Sequence, residues 1–297
     1  MSANNNKKFH LAGIIPIAGL TSDFNFPWHA SCNPIAPNFL AIERAVLECA
    51  YAGCETIWIV CNDDMQPLVR YRLGDYINDP VWASRPQDPR ASETRKEIPI
   101  FYVPVHPSDR DKRDCLSWSV LYGASTAYNV SLRISKWTKL DRYYVSFPYG
   151  VYPVNFLRDH RSRISSAQRF YLSSNGTTVR DDMYLGFTFD EVDFIEIRGN
   201  LRKHGTGLYS PALTNGMPRE TLPIEERYSA RFFTLNQVFG LLNIDKDDMI
   251  EVPFYFNIDN WENYCCYISS ENRDRIKRPP KVIMDYREFD LIGEDKT

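Results

Sequence analysis

Two continuous apolar runs constrain this chain more than anything else in it: LAGIIPIAG, residues 11 to 19, and TIWIVCND, residues 56 to 63. Neither alternates apolar with polar residues, so each predicts a strand covered on both faces, the condition of a strand inside a parallel sheet. Between them lies PNFLAIERAVLECAYAGC, which places Leu40, Ala41, Ala45, Val46, Cys49, Ala50 and Gly53 at helical spacing. Pro37 and Asn38 are expected to start that helix and Gly53 to end it. A helix in MQPLVRYRLGDYI, a strand in IPIFYVPV, a helix in the second half of residues 107 to 135 and a strand in RYYVSFPYGVYP repeat the unit. The order predicts an α/β fold with a mostly parallel central sheet, right-handed crossovers and helices on both faces.

The 297 residues, 43% of them hydrophobic, suffice to fill a substantial core. Residues 11 to 272 read as one α/β domain, with an N-terminal arm at 1 to 10 and a tail at 273 to 297. Residues 78 to 97 hold three Pro among mixed charges and have no period, so they read as an excursion from the sheet. Past residue 154 the pattern is less regular. NFLRDHRSRI, SARFFTLNQVFGLL and NWENYCCYISSENR read as helices, QRFYLSS and MIEVPFYFNI as strands, and TFDEVDFIEIRGNLR fits either.

Charge excludes some partners. With 35 Lys+Arg against 38 Asp+Glu, interspersed, the net charge is -3, which argues against a nucleic-acid surface or a polybasic membrane anchor. RDHRSR, residues 158 to 163, is the densest basic cluster and reads as a solvated helix face. No run is apolar enough for a membrane span, and MSANNNKKFH is unlike a signal peptide, so a cytoplasmic product is expected. The seven Cys form no Cys-x-x-Cys pair and the five His stand at no ligand spacing; reduced core thiols are expected and no metal site of that kind. DKDD, residues 245 to 248, lacks the rest of a calcium loop and reads as a turn.

AGLTSDFNFPWHASCNPIAPNFLAIERAVLECAYAGCETIWIV, residues 18 to 60, together with FPYGVYP and YFNIDNWENYCCYI, resembles the nucleotidyltransferases of the sugar-phosphate type, which share the GT-A glycosyltransferase-like fold. That family runs from a first strand through Gly-x-Gly-Thr-Arg and Pro-Lys-Pro into a helix ending in Ala-Gly before the second strand. The resemblance covers roughly residues 11 to 272 in organisation. It implies that Gly19 opens the nucleotide loop, with Thr21 in place of the second Gly and Asp23 in place of the Arg. Asn33 stands where the family has its Lys, and Tyr149 and Gly150 where a strand delivers the metal-binding Asp. Asp259 matches a second metal ligand.

A triphosphate carries about four negative charges and needs backbone N–H groups, Arg or Lys, and a divalent cation. A side chain at Thr21 would crowd the phosphate. A carboxylate at Asp23, about 4 Å away, is repelled by roughly 1 kcal/mol even in a water-like dielectric. All these changes weaken phosphate and metal binding, so the resemblance implies a nucleotidyltransferase-like scaffold or interaction protein without catalysis and without a cofactor. Phe24, Phe26, Trp28, Tyr149 and Tyr152 would fill the former cleft or dock a protein partner, either a second copy or another chain. The Asn- and Tyr-rich style also resembles proteins of tailed bacteriophages, which implies a virion component. The alternative is an active nucleotidyl- or glycosyltransferase using Mg²⁺ with an NTP. It would use Asp259 as metal ligand, Asp63 or Asp64 facing the base or ribose, and Lys7, Lys8 or Arg70 on phosphate. The plainer reading of Asn62 to Asp64 is a helix N-cap.

Overall fold

A computed structural model describes residues 10–19, 26, 28–83, 96–105, 115–134, 140–166, 168–205, 220–221 and 233–279, without the side chains of 202–205. In chain order the strands are β1 (His10–Pro16), β2 (Pro34–Ala36), β3 (Phe39–Leu40), β4 (Thr56–Cys61), β5 (Tyr76–Asn78), β6 (Glu97–Pro104), β7 (Leu140–Val145), β8 (Gly150–Val151), β9 (Tyr171–Ser173), β10 (Phe187–Asp190), β11 (Met249–Glu251) and β12 (Phe256–Asn257). The helices are α1 (Ala41–Ala52), α2 (Gln66–Leu73), α3 (Pro80–Ala83), α4 (Leu116–Ile134), α5 (Leu157–Ile164), α6 (Glu191–Gly205), α7 (Leu235–Phe239) and α8 (Trp261–Ile268).

Eight strands form one sheet in the order β11-β9-β10-β7-β1-β4-β6-β5. The centre, β7-β1-β4-β6, is parallel, and only β10 and β5 run against the other strands. The apolar runs are continuous because alternate residues enter two different cores. Leu11, Ile15, Ile57 and Ile59 face the side that holds α1, whereas Ala12, Ile14, Trp58 and Val60 face the side that holds α4. No helix among the described residues is long and apolar enough to cross a membrane.

Several boundaries differ from the sequence reading. Helix α1 starts at Ala41 and not at Pro37, because Asn38 takes a left-handed φ of 55° and turns the chain through the β2-β3 hairpin. Glu43 then fastens the helix start, accepting the Leu40 N–H at 2.7 Å and the Arg72 guanidinium at 3.0 Å. Helix α2 stops at Leu73, and Tyr76–Asn78 are an edge strand paired antiparallel to β6. The ambiguous stretch after residue 186 is both things in turn, β10 and then α6. DKDD is a turn: Lys246–Asp248 form a single 3-10 turn directly before β11. Residues 84–95 of the excursion lie outside the described residues. Its ends are the end of β5 and the start of β6, so it leaves the sheet at the N-terminal ends of the parallel strands.

Two members of the basic cluster on α5, Arg161 and Arg163, are tied into the fold, while Arg158 stays on the solvated face. Arg161 donates to Asp79 at 2.7 Å and to the Ala50 carbonyl at 2.9 Å, and its stem lies where a side chain on Gly53 (φ 94°) would have to go. Arg163 donates to the Asp247 carbonyl and Arg158 pairs with Asp159.

Burial of phenols and thiols sets an alkaline limit on stability. Burial first, and the Glu48 carboxylate next, push the Tyr144 and Tyr152 hydroxyls well above their usual 10.0; burial, then the neighbouring Asp64, pushes Cys61 from 9.0 up to about 12. The folded state therefore holds these protons after the unfolded chain has lost them. Their contribution is complete below the unfolded values and declines as pH rises towards the folded ones. The urea midpoint is expected to be level between about pH 7 and pH 8 and to fall from about pH 9 upward. An unchanged midpoint at about pH 11 would contradict this account.

Candidate functional site

In open α/β sheets ligands bind outside the carboxyl ends of the strands. Here those ends belong to β1, β4 and β7, and β1 is tied to β4 by the Ile17 and Ala18 N–H groups, which donate to the Val60 carbonyl at 2.9 and 3.0 Å. Ile17, Val60 and Phe147 are buried. Gly19 has a φ of 89°, the left-handed turn that starts the loop. Thr21, Asp23 and Phe24, with Lys7 and Lys8, lie outside the described residues.

The resemblance placed Tyr149 and Gly150 at the strand end that follows β7. Tyr149 is 0% exposed, packed with Ala30, Leu116 and Tyr184. Gly150 pairs with Asn257 between β8 and β12, and Ile258 N–H donates to the Tyr149 carbonyl at 2.8 Å. A Cβ on Gly150 would stand 2.1 Å from the Tyr184 carbonyl oxygen and 3.0 Å from the Tyr255 ring. No carboxylate fits there without moving backbone. The Tyr149 hydroxyl and the Asn33 side-chain nitrogen are buried with no hydrogen-bond partner among the described residues, and neither supplies the anionic oxygen that Mg²⁺ takes from a protein.

Asp259 sits at the start of α8. Its Oδ1 accepts from Asn260 at 3.1 Å and Asn263 at 3.3 Å, and it lies beside the Tyr184 hydroxyl, whose proton burial first and this carboxylate second hold well above the ordinary phenol range. Among the described residues no three Asp, Glu, His or Cys side chains group as metal ligands. Asn33 is buried, and its Oδ1 accepts the Trp28 indole N–H at 3.0 Å. Arg70 is paired with Asp75 at 2.8 Å on exposed α2. Asp63 and Asp64 are exposed in a turn closed by Met65 and Gln66 N–H groups on the Asn62 carbonyl. They do not cap α2: its N-cap is Met65, which makes no side-chain cap bond.

The aromatic residues divide. Tyr149 and Tyr152 are fully buried and present nothing to a partner. Phe26 and Trp28 stand at the surface, 37% and 40% exposed, stacked at 4.9 Å with Trp261 edge-on to Phe26 at 5.5 Å. Together the three rings form an exposed aromatic patch.

The sequence reading missed a buried polar centre on α1. Glu48 and Arg44, one turn apart on α1, are wholly buried and paired at 2.9 Å. Glu48 also accepts from Tyr144 at 2.7 Å, from Tyr152 at 2.8 Å and from Ser146, while Arg44 donates to the Phe147 carbonyl and lies 4.5 Å from the centre of the Tyr152 ring. Every partner of the pair except Tyr144 belongs to residues 146–152, so the network fixes the segment that follows β7. Two opposite charges at i and i+4, Arg44 and Glu48, in a helix whose other charge is Glu43, were the signal available in the sequence.

No protein-family model matches the chain, and no curated protein matches it. Among solved structures it is similar to a provisionally assigned glucose-1-phosphate thymidylyltransferase from Bacillus anthracis, at 10% identity and a TM-score of 0.51 over 91% of this chain and 98% of that one. An inositol-1-phosphate CTP transferase from T. maritima matches at 9% identity and a TM-score of 0.45, covering 89% and 95%. A nucleoside-diphosphate-sugar pyrophosphorylase from Vibrio cholerae RC9 matches at 12% and 0.46, covering 87% and 100%. At such identities the likeness is one of fold. The chain has a nucleotidyltransferase-like α/β fold, with a large, mostly parallel central sheet.

Proposed function

We propose that this protein keeps the nucleotidyltransferase-like sheet without its chemistry and acts as a non-catalytic scaffold that engages another protein chain. One observation carries the reading: the strand end where such a fold would present a metal-binding carboxylate holds buried Tyr149 and a Gly150 whose Cβ direction is blocked at 2.1 Å by the Tyr184 carbonyl. Phosphoryl chemistry depends on charge stabilisation by a cation and fixed donors. Asp259, the remaining acid, is held by amides, and Asn33 is turned to Trp28. The exposed patch of Phe26, Trp28 and Trp261 offers aromatic area of the kind enriched at protein interfaces. Service in a virion would be one form of this role, tested by whether the protein purifies with particles.

Calorimetric titration with each of the four nucleoside triphosphates and Mg²⁺ tests the reading. The expected result is no affinity tighter than about 1 mM, unchanged in Asp259→Ala. Micromolar binding that disappears in Asp259→Ala would establish instead a rebuilt nucleotidyltransferase site.

A further inference from the structure

A hollow opens between α4 and α6, on the side of the sheet opposite α1, and the proposed scaffold role makes no use of it. Its enclosed space is about 90 Å³, below the roughly 300–1,000 Å³ of a closed small-molecule site, so a guest would seat one edge in the hollow and lie partly across its open mouth. Trp118 and Tyr122 form one wall, with Leu121 and Ser125 beside them, and Phe194 and Arg198 come from α6. Each of these pairs is one helical turn apart, so each helix contributes a column of side chains. Three of the six are aromatic, and rings held on a rigid helix face favour a flat guest that can stack or meet them edge-on.

Among the described residues that line the hollow, Arg198 is the one with a charged side chain. Arg198 is exposed, and no carboxylate among the described residues pairs with its guanidinium. The buried acid of α6, Asp193, is turned to Arg169 at 2.7 Å. Ser125 adds a neutral hydroxyl. A planar guanidinium fork beside an aromatic wall matches a planar anion, which it can hold with two parallel hydrogen bonds. We propose that this hollow binds a small aromatic anion, a flat ring system bearing a carboxylate or sulfonate, with the rings against Trp118, Tyr122 and Phe194 and the anionic group on Arg198. Val105, directly after β6, and Ser119, whose hydroxyl donates to the Ala18 carbonyl, place the hollow beside the strand ends on the α4 side of the sheet, and a probe that carries no phosphate keeps its test distinct from the triphosphate titration.

The probe is 1-anilinonaphthalene-8-sulfonate, titrated into the full chain and read by its fluorescence. Saturable binding of about one dye per chain is expected. Arg198→Gln should weaken it about tenfold, and Ser125→Trp, which fills the hollow, should abolish it. Thermal melts confirm that both variants are folded. The neutral analogue N-phenyl-1-naphthylamine should bind the native chain about tenfold more weakly and be indifferent to Arg198→Gln. Absence of saturable binding, or equal binding to Ser125→Trp, would overturn the site. Equal affinity for the neutral analogue would overturn the recognition of an anion.

Discussion

Glu48→Ala is expected to lower stability by about 3–5 kcal/mol, which for a domain of this size corresponds to a fall in Tm of about 10 °C. The cause is what remains after the carboxylate is gone. Arg44 stays in a wholly buried position with its charge uncompensated, and the Tyr144, Tyr152 and Ser146 hydroxyls lose their acceptor. Removing one partner of a buried ion pair costs more than the pair itself contributes, because the penalty of desolvating the survivor is no longer offset. Arg44→Met combined with Glu48→Leu should therefore recover part of the loss, and adding Tyr144→Phe should recover more. Urea unfolding of the three variants checks the order. A Glu48→Ala protein within about 1 kcal/mol of the native one would show that the network is not the anchor described above.

Gly150→Asp comes next in size. The substitution supplies the carboxylate that the sequence resemblance implies at this strand end, and it is expected to destabilise by about 3 kcal/mol or more without creating a cation site. The obstruction is the Tyr184 carbonyl, 2.1 Å from the new Cβ, and the β8-β12 pairing must open to relieve it. Thermal melts with and without Mg²⁺ read both halves of the expectation. A variant as stable as the native protein, melting higher with Mg²⁺, would mean that the strand end is merely vacant rather than closed.

The centre of the fold was legible because its signals are local. Runs of buried residues in β1 and β4 and the helix ending at Gly53 need no knowledge of distant parts of the chain. The edge strands were harder: β5 has three residues, and only its pairing with β6 distinguishes it from the end of α2. Charges in a helix are read as a solvent face by default, and that default hid Arg44 and Glu48, whose partners lie about 100 residues away on β7 and beyond it. At the candidate site the resemblance implied that Tyr149 and Gly150 stand where a carboxylate is expected. It could not indicate what replaced it, since the carbonyl that closes the place at Gly150 belongs to Tyr184. Asp23 lies outside the described residues, and Gly150 and Asp259 carry the reading in its stead.

The pairing of β8 with β12 also orders events during synthesis. Strands β1, β4, β6 and β7 can associate once the chain has emerged past Val145, but Asn257 and Ile258, which cover Tyr149 and Gly150, are made more than a third of the chain later. At about 5–20 residues per second, that interval lasts roughly 5–20 s. Throughout it Phe147, Tyr149 and Tyr152 lack part of their eventual cover, an aromatic surface open to premature association or to a chaperone. The segment that covers Tyr149 and Gly150 in the finished protein is thus among the last described parts of the fold to leave the ribosome.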